Sequence, residues 1–448
     1  MENIKIKDFE INQDEFAKLE ANYNQDSKNL VIKHALSKNP ISEIVYDTKN
    51  EIDVINDFSI EIKTLPVCNQ KNSGRCWIFA ACNFLREKIA AELKVSNFEL
   101  SQNYIAFYDK LEKANYLLSS VADLIANNPD ERVLMHILAN GVGDGGQWDM
   151  FVNLVKKYGV VPKNAMKETF QSSATNESDA LINSLCRQFA VKAQKLFKEN
   201  KKDKIIDLKK ETMQLIYNLL VNCFGMPPKT FDFEYKDKDG VFHSLASFTP
   251  KSFFDKFVKN IDDYVSIVNA PTDGKPFYKT YTISYLNNVI EGKDIIHLNL
   301  PMARVKELII NQLKDGEIVW FGSDVSKYRD RSTGLWDDLS FDYMSTFGFD
   351  LKFNKADMLD YHESAMNHAM CLTGVNIKND KPNRWKVENS WGKDVGNDGY
   401  FIMSDSWFDT YVYQAVVNKK YLNEKELECL KKEPIVLAPW DPLGTLAD

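Results

Sequence analysis

The chain has 448 residues, of which 44% are hydrophobic, 12% aromatic and 27% charged. This composition is that of an ordinary globular protein, and the length suits two or three domains or one catalytic domain with long insertions, which we favour. The formal net charge is −8. The chain therefore has no overall basic field that would attract nucleic acid.

The N-terminal stretch and the cysteines predict a cytoplasmic protein. Residues 1–16 alternate charged with apolar side chains and lack the apolar region and cleavage site of a signal peptide. No run of about 18 apolar residues is present that would span a membrane. The seven cysteines are irregularly spaced and include no Cys-x-x-Cys pair, which favours reduced thiols over a disulfide framework.

The first half of the chain predicts mainly helices. Residues 1–64 are interpreted as an arm or flap, with one or two surface helices over 14–30 and a turn at Asn39-Pro40. Residues 65–169 are interpreted as a helical lobe. Its first helix starts at Cys76 and continues to Leu93, with further helices over 101–118 and 148–157 and a sharp glycine-rich loop at 141–146. Because the first helix begins with an almost wholly apolar stretch, we expect it to be buried with its N-terminus facing a cleft.

The second half of the chain predicts a sheet after an insertion. Residues 170–304 are rich in lysine and glutamate and read as a mostly helical insertion, with strand candidates over 230–235 and 278–283. Short β-like runs then begin at Glu317, Ala369, Arg384 and Gly399, which predicts a β-rich lobe over 305–430. The expected fold is therefore α+β, with two lobes and a cleft between them, followed by a C-terminal arm over 431–448.

Cys76 is the candidate nucleophile. A thiol reacts as its thiolate, which is favoured at a helix N-terminus and beside an imidazolium. A cysteine at the start of an apolar helix is more often a core residue, so the neighbouring motifs decide between the two interpretations. Gln70 precedes Cys76 across a glycine-containing turn, and its amide is placed to donate to an oxyanion together with the Cys76 backbone N–H.

Two later motifs supply a base and a residue that orients it. His368 opens an apolar run, and Asn389 and Trp391 follow the end of another predicted strand. An asparagine that accepts from one ring N–H fixes the histidine tautomer and directs the other nitrogen at the thiol. Trp391 is expected to shield that hydrogen bond from water.

These motifs carry a family resemblance. The segments Gln70-Lys-Asn-Ser-Gly-Arg-Cys76-Trp77, Asn367-His368-Ala369 and Asn389-Ser-Trp391-Gly resemble, in order, the three signature blocks of papain-like cysteine peptidases. Ser73 replaces a disulfide cysteine of the secreted relatives. The separation of Cys76 from His368 is about twice the 130–150 residues of those enzymes, which agrees with an insertion.

The match narrows to the bleomycin hydrolase and aminopeptidase C branch. Gln147-Trp-Asp149-Met and the ending Pro439-Trp-Asp-Pro-Leu-Gly-Thr-Leu-Ala447-Asp448 also resemble that branch. The resemblance implies a cytoplasmic aminopeptidase without cofactor or metal, with bleomycin-hydrolase-like amide hydrolysis among its reactions. It further implies a homohexameric ring with active sites facing an internal chamber.

The same resemblance implies how the substrate is bound. Gly145 and Gly146 match the paired glycines along which the substrate backbone lies, although a helix-connecting turn is the alternative. The C-terminal arm is expected to enter each cleft, so that a carboxylate at Ala447 or Asp448 meets the substrate α-ammonium and single N-terminal residues are released. An endopeptidase is the alternative if the arm does not reach the cleft.

Three other interpretations have less support. Residues 141–146 fit G-x-G-x-x-G, but the preceding stretch is helical in pattern and no βαβ unit surrounds it. His362-Glu363 begins like a zinc-protease motif, yet the next histidine is His368, at the wrong helical spacing. The lysine-rich run over 198–210 would suit a non-catalytic nucleic-acid-binding protein, but acidic residues interrupt the run, which favours a solvated helix face.

Overall fold

The computed structural model describes residues 6–48, 55–127, 131–330 and 333–447. The helices in these ranges are α1 Gln13–Gln25, α2 Ser27–Leu36, α3 Ile41–Val45, α4 Cys76–Leu93, α5 Gln102–Asn127, α6 Glu131–Asn140, α7 Trp148–Tyr158, α8 Asn176–Lys198, α9 Asp203–Phe224, α10 Pro250–Phe257, α11 Met302–Lys314, α12 Tyr343–Phe347, α13 Lys355–Asp360, α14 Asp405–Tyr411 and α15 Glu424–Leu430. The strands are β1 Ile60–Glu61, β2 Phe231–Lys236, β3 Phe242–Phe248, β4 Tyr264–Val268, β5 Thr280–Ile283, β6 His297–Asn299, β7 Val319–Ser323, β8 Leu335–Trp336, β9 His368–Lys378, β10 Lys381–Glu388, β11 Tyr400–Ser404, β12 Val412–Asn418 and β13 Ile435–Leu437.

The chain groups into two compact units. One comprises residues 54–336 and 353–448, and the other comprises residues 1–53 and 337–352. In the described part of the smaller unit, α1 begins with a capping box in which Asn12 and Glu15 each accept from the other's backbone N–H. Tyr46 packs edge-on against Phe341 at 5.4 Å between ring centroids, so the N-terminal helices associate with a segment that comes about 300 residues later.

Helix α4 is the central helix of the larger unit. Its first eleven residues, Cys76 to Arg86, are all buried, because one side packs on the sheet and the other on neighbouring helices. The helix ends at Lys94, which adopts the left-handed conformation with φ 56° and donates its backbone N–H to Ala90 and Ala91. Cys76 is the first helical residue, so its side chain lies at the positive end of the helix dipole.

A mixed sheet of eleven strands crosses the larger unit. Its order is β13-β5-β6-β4-β12-β7-β9-β10-β11-β8, with β1 paired to β9. The pairs β4–β6, β5–β13 and β8–β11 are parallel and the others antiparallel. β7, β9 and β10 are neighbours in the middle of the sheet, and β9 begins at His368 while β10 ends just before Asn389. The pairing of β9 with β10 therefore brings these two distant residues to one end of the sheet.

The sheet separates two hydrophobic cores. Successive residues of β9 belong alternately to one core, with Ala369 and Cys371, and to the other, with Met370 and Leu372. The first core contains α4, α5 and α7, and the second contains α11 and α14. This alternation follows from the two-residue period of a strand buried on both faces.

The predicted α+β fold with a helical and a β-rich part is confirmed, but one predicted boundary differs. Residues 170–304 do contain α8, α9 and α10, yet β4, β5 and β6 also lie in this block and belong to the main sheet. β5 agrees with the strand candidate over 278–283, whereas β4 and β6 were not predicted. These two strands are five and three residues long and nearly all their residues are buried, so they lack the alternation that marks a strand in sequence. The β-rich part therefore starts well before residue 305.

Candidate active site

Cys76 lies where α4 meets the start of β9. Its side chain is buried, and its Sγ accepts a hydrogen bond from the backbone N–H of Ala369 at 3.4 Å. Ala369 directly follows His368, so the sheet carries the imidazole to the N-terminal end of α4. The structure therefore brings together two side chains that are almost 300 residues apart in sequence.

The His368 ring is oriented by Asn389. Nε2 of His368 lies 2.9 Å from Oδ1 of Asn389. Because an amide oxygen only accepts, Nε2 carries the hydrogen and Nδ1 is the basic nitrogen. The same Oδ1 accepts from the backbone N–H of Ser390 at 2.8 Å, which holds the Asn389 side chain in this orientation.

Trp391 covers the His368–Asn389 pair. Its ring stacks on the imidazole with 4.9 Å between centroids and 29° between planes. Phe401 packs edge-on against the indole at 5.6 Å, and the Arg329 guanidinium lies 5.8 Å from the Trp391 ring centroid. The hydrogen bond that fixes the imidazole is thus enclosed by aromatic side chains.

Gln70 is held in place by hydrogen bonds to Ser73 and Ser390. Its Nε2 donates to the carbonyl of Ser73 at 2.7 Å, and its Oε1 accepts from the Ser390 hydroxyl at 2.5 Å. Its backbone N–H donates to the Ser390 carbonyl at 2.8 Å. An amide nitrogen carries two hydrogens, so Nε2 has a second one to offer to a developing oxyanion.

Burial dominates the electrostatics of Cys76 and His368. It raises the pKa of the Cys76 thiol to about 11, against the Ala369 N–H bond that favours the thiolate. Burial also lowers the pKa of His368 to about 4, although the hydrogen bond to Asn389 favours the charged ring. Each charge alone is disfavoured here, whereas a proton passing from Sγ to Nδ1 creates both charges together and lets them attract.

The loop over 141–146 forms one wall beside Cys76. The indole of Trp77 lies so close to Gly146 that a Cβ there would be 2.3 Å from Cε2, so only glycine fits. Nε1 of Trp77 donates to the Asp144 carbonyl at 2.6 Å. Gly145 and Gly146 are both buried, and the described arm covers this part of the loop.

The C-terminal arm enters this site. After β13 pairs with β5, the chain turns into a short 3₁₀ helix over Pro442–Ala447. The N–H of Gly146 donates to the Leu446 carbonyl at 2.8 Å, and the Thr445 hydroxyl donates to the Met366 carbonyl at 2.8 Å. Ala447 is buried, whereas Asp448 lies outside the described residues.

The other candidate sites do not assemble. The 141–146 loop follows helix α6 and not a strand, which removes the dinucleotide interpretation. His362 is exposed, and the described residues contain no group of three or more His, Cys, Asp or Glu side chains placed to hold a metal ion. In the lysine-rich run, Lys201 pairs with Glu199 and Lys210 with Asp207. Among the described residues, no helix has both the length and the apolar character needed to cross a membrane.

Several residues around the site were not predicted. Ser390 orients Gln70, Lys110 lies under the loop over 141–146, and Asp144 of that loop pairs with Lys110. Ser390 lies inside a motif that was recognised, so its position was a usable signal. Lys110 gives no such signal, because a charged residue in a predicted helix reads as solvent-exposed, whereas the side chain is 1% exposed.

Comparisons with known proteins agree with this site. The model of the Peptidase C1-like family matches residues 10–444. Aminopeptidase C of Listeria monocytogenes is 45% identical over 95% of this chain and 96% of its own length, and aminopeptidase C of Lactobacillus delbrueckii subsp. lactis is 44% identical over 93% and 94%. The crystal structure of PepW from Lactobacillus rhamnosis superposes with a TM-score of 0.94 at 43% identity, covering 98% of this chain and 99% of that one.

A papain-like fold with a cysteine at the helix end and a histidine on the sheet defines a cysteine peptidase, and the chain belongs to the Peptidase C1-like family. Within it the full-length relatives place this chain in the bleomycin hydrolase and aminopeptidase C branch, as the motifs indicated. The protein is a cysteine aminopeptidase.

Proposed function

We propose that Cys76 is the nucleophile, His368 the general base and acid, Asn389 the residue that orients the imidazole, and Gln70 a donor to the oxyanion. The observation that supports these roles is the continuous chain of contacts described above, from the Cys76 Sγ through Ala369 and His368 to Asn389, Ser390 and Gln70. Trp77 and Trp391 support this arrangement by packing against Gly146 and His368.

The reaction begins with transfer of the Cys76 proton to Nδ1 of His368. The thiolate attacks the carbonyl carbon of the first peptide bond, and the oxyanion accepts from the Gln70 side chain and the Cys76 backbone N–H. His368 returns the proton to the departing amine as the C–N bond breaks, leaving the N-terminal residue as a thioester on Cys76. A water deprotonated by His368 then attacks the thioester and releases the free amino acid and the thiol.

The restriction to single N-terminal residues is ascribed to the arm. The Gly146 N–H, which we expect to pair with a substrate backbone, already donates to the Leu446 carbonyl at 2.8 Å. A longer acyl segment would have to occupy the space that Leu446 fills. A carboxylate at the chain end, at Ala447 or Asp448, then attracts the substrate α-ammonium.

Truncation of the arm tests this proposal. Removal of residues 445–448 is expected to create cleavage of N-acetylated peptides, and to raise KM for unblocked aminoacyl substrates because their ammonium loses its partner. If the full-length enzyme already cleaved acetylated peptides as fast as the truncated form, the arm would not be the source of the restriction and the enzyme would be an endopeptidase as well.

The assembly and the cellular site are part of the same proposal. A homohexameric ring is supported by the family resemblance and by the apolar side chains that α1 and α2 expose, among them Phe16 at 62% and Val31 at 68%. Native mass spectrometry of the wild type and of F16E/V31E tests the ring, and a wild-type monomer would contradict it. A cytoplasmic location is supported by seven free thiols, six of them buried, and cell fractionation tests it.

A further inference from the structure

A buried group of three charges links the loop over 141–146, which we call the glycine loop, to α5 and α8. Lys110, on α5, extends its ammonium between the carboxylates of Asp144 and Asp179, and the distance to Oδ1 of Asp144 is 2.7 Å. The side chains are 1%, 10% and 16% exposed, respectively. A lysine this deeply buried is stable only when it is paired, so the two carboxylates and the lysine depend on one another.

Asp144 uses its remaining atoms to hold both sides of the nucleophile. Its Oδ2 accepts from the backbone N–H of Gly74 at 2.6 Å and from the Thr175 hydroxyl. Its backbone carbonyl accepts from the Trp77 indole at 2.6 Å. Gly74 and Trp77 flank Cys76, so one residue fixes the chain two positions before the nucleophile and one position after it.

The fit between Asp144 and Gly74 leaves no room for another side chain. A Cβ at Gly74 would lie 2.8 Å from the Asp144 Cβ. The loop that carries Gln70 therefore lies so close to the glycine loop that only the Asp144 side chain fits between the two backbones.

Lys113, one turn further along α5, holds the glycine loop on both sides of Asp144. Its ammonium pairs with Asp109 at 2.8 Å and donates to the carbonyls of Gly143 and Gly145. The loop is thus fixed from α5 at three consecutive residues, Gly143, Asp144 and Gly145, directly before the N–H of Gly146. This gives the loop a defined position relative to the loop that carries Gln70.

Asp179 and Thr175 come from the block over 170–304. Thr175 immediately precedes α8 and Asp179 lies in its first turn. Burial raises the pKa of Asp179, while Lys110, the Thr175 hydroxyl and the Gly74 N–H outweigh burial and lower the pKa of Asp144. Of the two acids, Asp144 is the one whose carboxylate accepts from the Gly74 N–H.

We propose that Asp144 is a positioning residue that sets the distance between the loop that carries Gln70 and the glycine loop. It is supported in this by Lys110 and by Asp179 and Thr175 of the inserted block. The inference rests on the proposed role of Cys76. It assigns the inserted block a task in catalysis, because two of the groups that hold Asp144 belong to α8 and the residue before it.

D144N is the most direct variant. The amide keeps one accepting oxygen but cannot accept from both Gly74 and Lys110, so the bridge breaks on one side. We expect kcat/KM for unblocked aminoacyl substrates to fall about 10- to 100-fold, because small displacements of catalytic groups have effects of that size. The Asp144 charge also opposes ionisation of Cys76. The pH midpoint of Cys76 alkylation by iodoacetamide should therefore move down while catalysis slows.

E426Q is the matched control. Glu426 is likewise buried and accepts two hydrogen bonds from Arg304, but it belongs to α15 and contacts none of the proposed catalytic residues. E426Q is expected to lower the melting temperature without moving the alkylation midpoint. A D144N enzyme with kcat/KM within about two-fold of wild type, or with an unchanged alkylation midpoint, would overturn the inference.

D179N and T175V decide the matter if D144N does not fold. Each removes one support of Asp144 and leaves the Gly74 contact in place, so we expect a fall in kcat/KM of about 3- to 10-fold for folded protein. Unchanged kcat/KM in both would overturn the inference. Alkylation reports on the thiol itself, and C76A separates the outcomes, since a C76A enzyme that remained active would refute the role of Cys76 and not that of Asp144.

Discussion

The proposed catalytic residues and the C-terminal arm both lie beside the loop over 141–146 but are held in different ways. Cys76, His368 and Asn389 are each at most 5% exposed and are fixed by α4 and by the pairing of β9 with β10 in the middle of the sheet. The arm is attached at the edge of the sheet, where β13 follows β5 in a three-residue parallel pair. The proposed catalytic groups are thus fixed by the middle of the sheet. The arm, to which we ascribe the restriction to N-terminal residues, is tied to the sheet only at its edge and packs its last residues, Leu443, Leu446 and Ala447, into the first core.

Outside this core packing, the C-terminal arm is held by a small number of polar and aromatic contacts. Lys275 pairs with Asp441 at 3.0 Å, and the Arg132 guanidinium lies 4.4 Å from the Trp440 ring centroid. His136 packs edge-on against the same indole at 5.6 Å. Further along the arm, the Gly146 N–H donates to the Leu446 carbonyl and the Thr445 hydroxyl donates to the Met366 carbonyl. We therefore expect substitutions of the proposed catalytic residues to abolish the reaction, and substitutions in the arm to alter which peptide bond is cleaved.

The largest effect is expected from replacing the nucleophile. C76A should lower kcat/KM on every peptide, blocked or unblocked, by at least about 1000-fold, because both steps of the reaction pass through the thiol. C223A is the control, since Cys223 is a half-buried free thiol outside the site. Steady-state kinetics on aminoacyl fluorogenic substrates measure both. A C76A enzyme with wild-type activity would exclude Cys76 as the nucleophile.

Asn389 should have the next largest effect. N389A removes the acceptor 2.9 Å from Nε2, so the imidazole loses its fixed tautomer, and kcat should fall about 10- to 100-fold with little change in KM. N376A provides the control, because Asn376 also lies on the β9–β10 pair but bonds only to the Asn383 side chain through its amide. Equal kinetics for N389A and N376A would show that the imidazole is oriented by other contacts.

Loosening the arm should produce a smaller effect of a different kind. W440A removes the contacts with Arg132 and His136, which are worth roughly 0.5–1 kcal/mol at an exposed site, so cleavage of N-acetylated peptides should rise about 2- to 5-fold. F242A, which removes another exposed aromatic side chain on the β2–β3 hairpin, should leave the ratio of blocked to unblocked cleavage unchanged. A W440A enzyme with the wild-type ratio would show that the indole does not hold the arm.

The smallest expected effect is in the pH profile. Burial lowers the pKa of His368 to about 4, against the ordinary histidine value of 6.5. Cys76 and His368 share one proton in the active enzyme, and a second proton, which inactivates them, therefore binds only at a pH well below 6.5. The acid limb of kcat/KM should therefore lie below pH 6, and should be the same in W440A because it belongs to the core. Tryptophan fluorescence over the same pH range distinguishes titration from unfolding. An acid limb at pH 6.5 or above would contradict the effect of burial.

The sequence indicated those features that depend on local pattern. The start of α4 follows from an apolar helical run preceded by a glycine loop, and the two-part fold follows from helix-rich and strand-rich halves. Three short motifs sufficed to select Gln70, Cys76, His368 and Asn389, because each motif holds its residues in a turn or at a strand end.

What could not be predicted depends on distant packing. Lys110 and Asp144 meet only when α5 lies under the glycine loop, and a lysine in a helix normally reads as exposed. β4 and β6 join the sheet although their buried residues show no alternation, and residues 337–352 join the N-terminal helices although about 300 residues separate them in sequence. These contacts depend on which surfaces are buried together in the folded chain, and a short stretch of sequence does not indicate that.

The most direct test of the central claim is to trap the acyl-enzyme. An unblocked peptide, quenched in acid within the first turnover and digested for mass spectrometry, should leave an adduct on the fragment that contains Cys76, with the mass of the single N-terminal residue of the substrate. That one mass reports both the nucleophile and the restriction by the arm. An adduct on another residue would contradict the role of Cys76, and an adduct of two or more substrate residues would contradict the role of the arm.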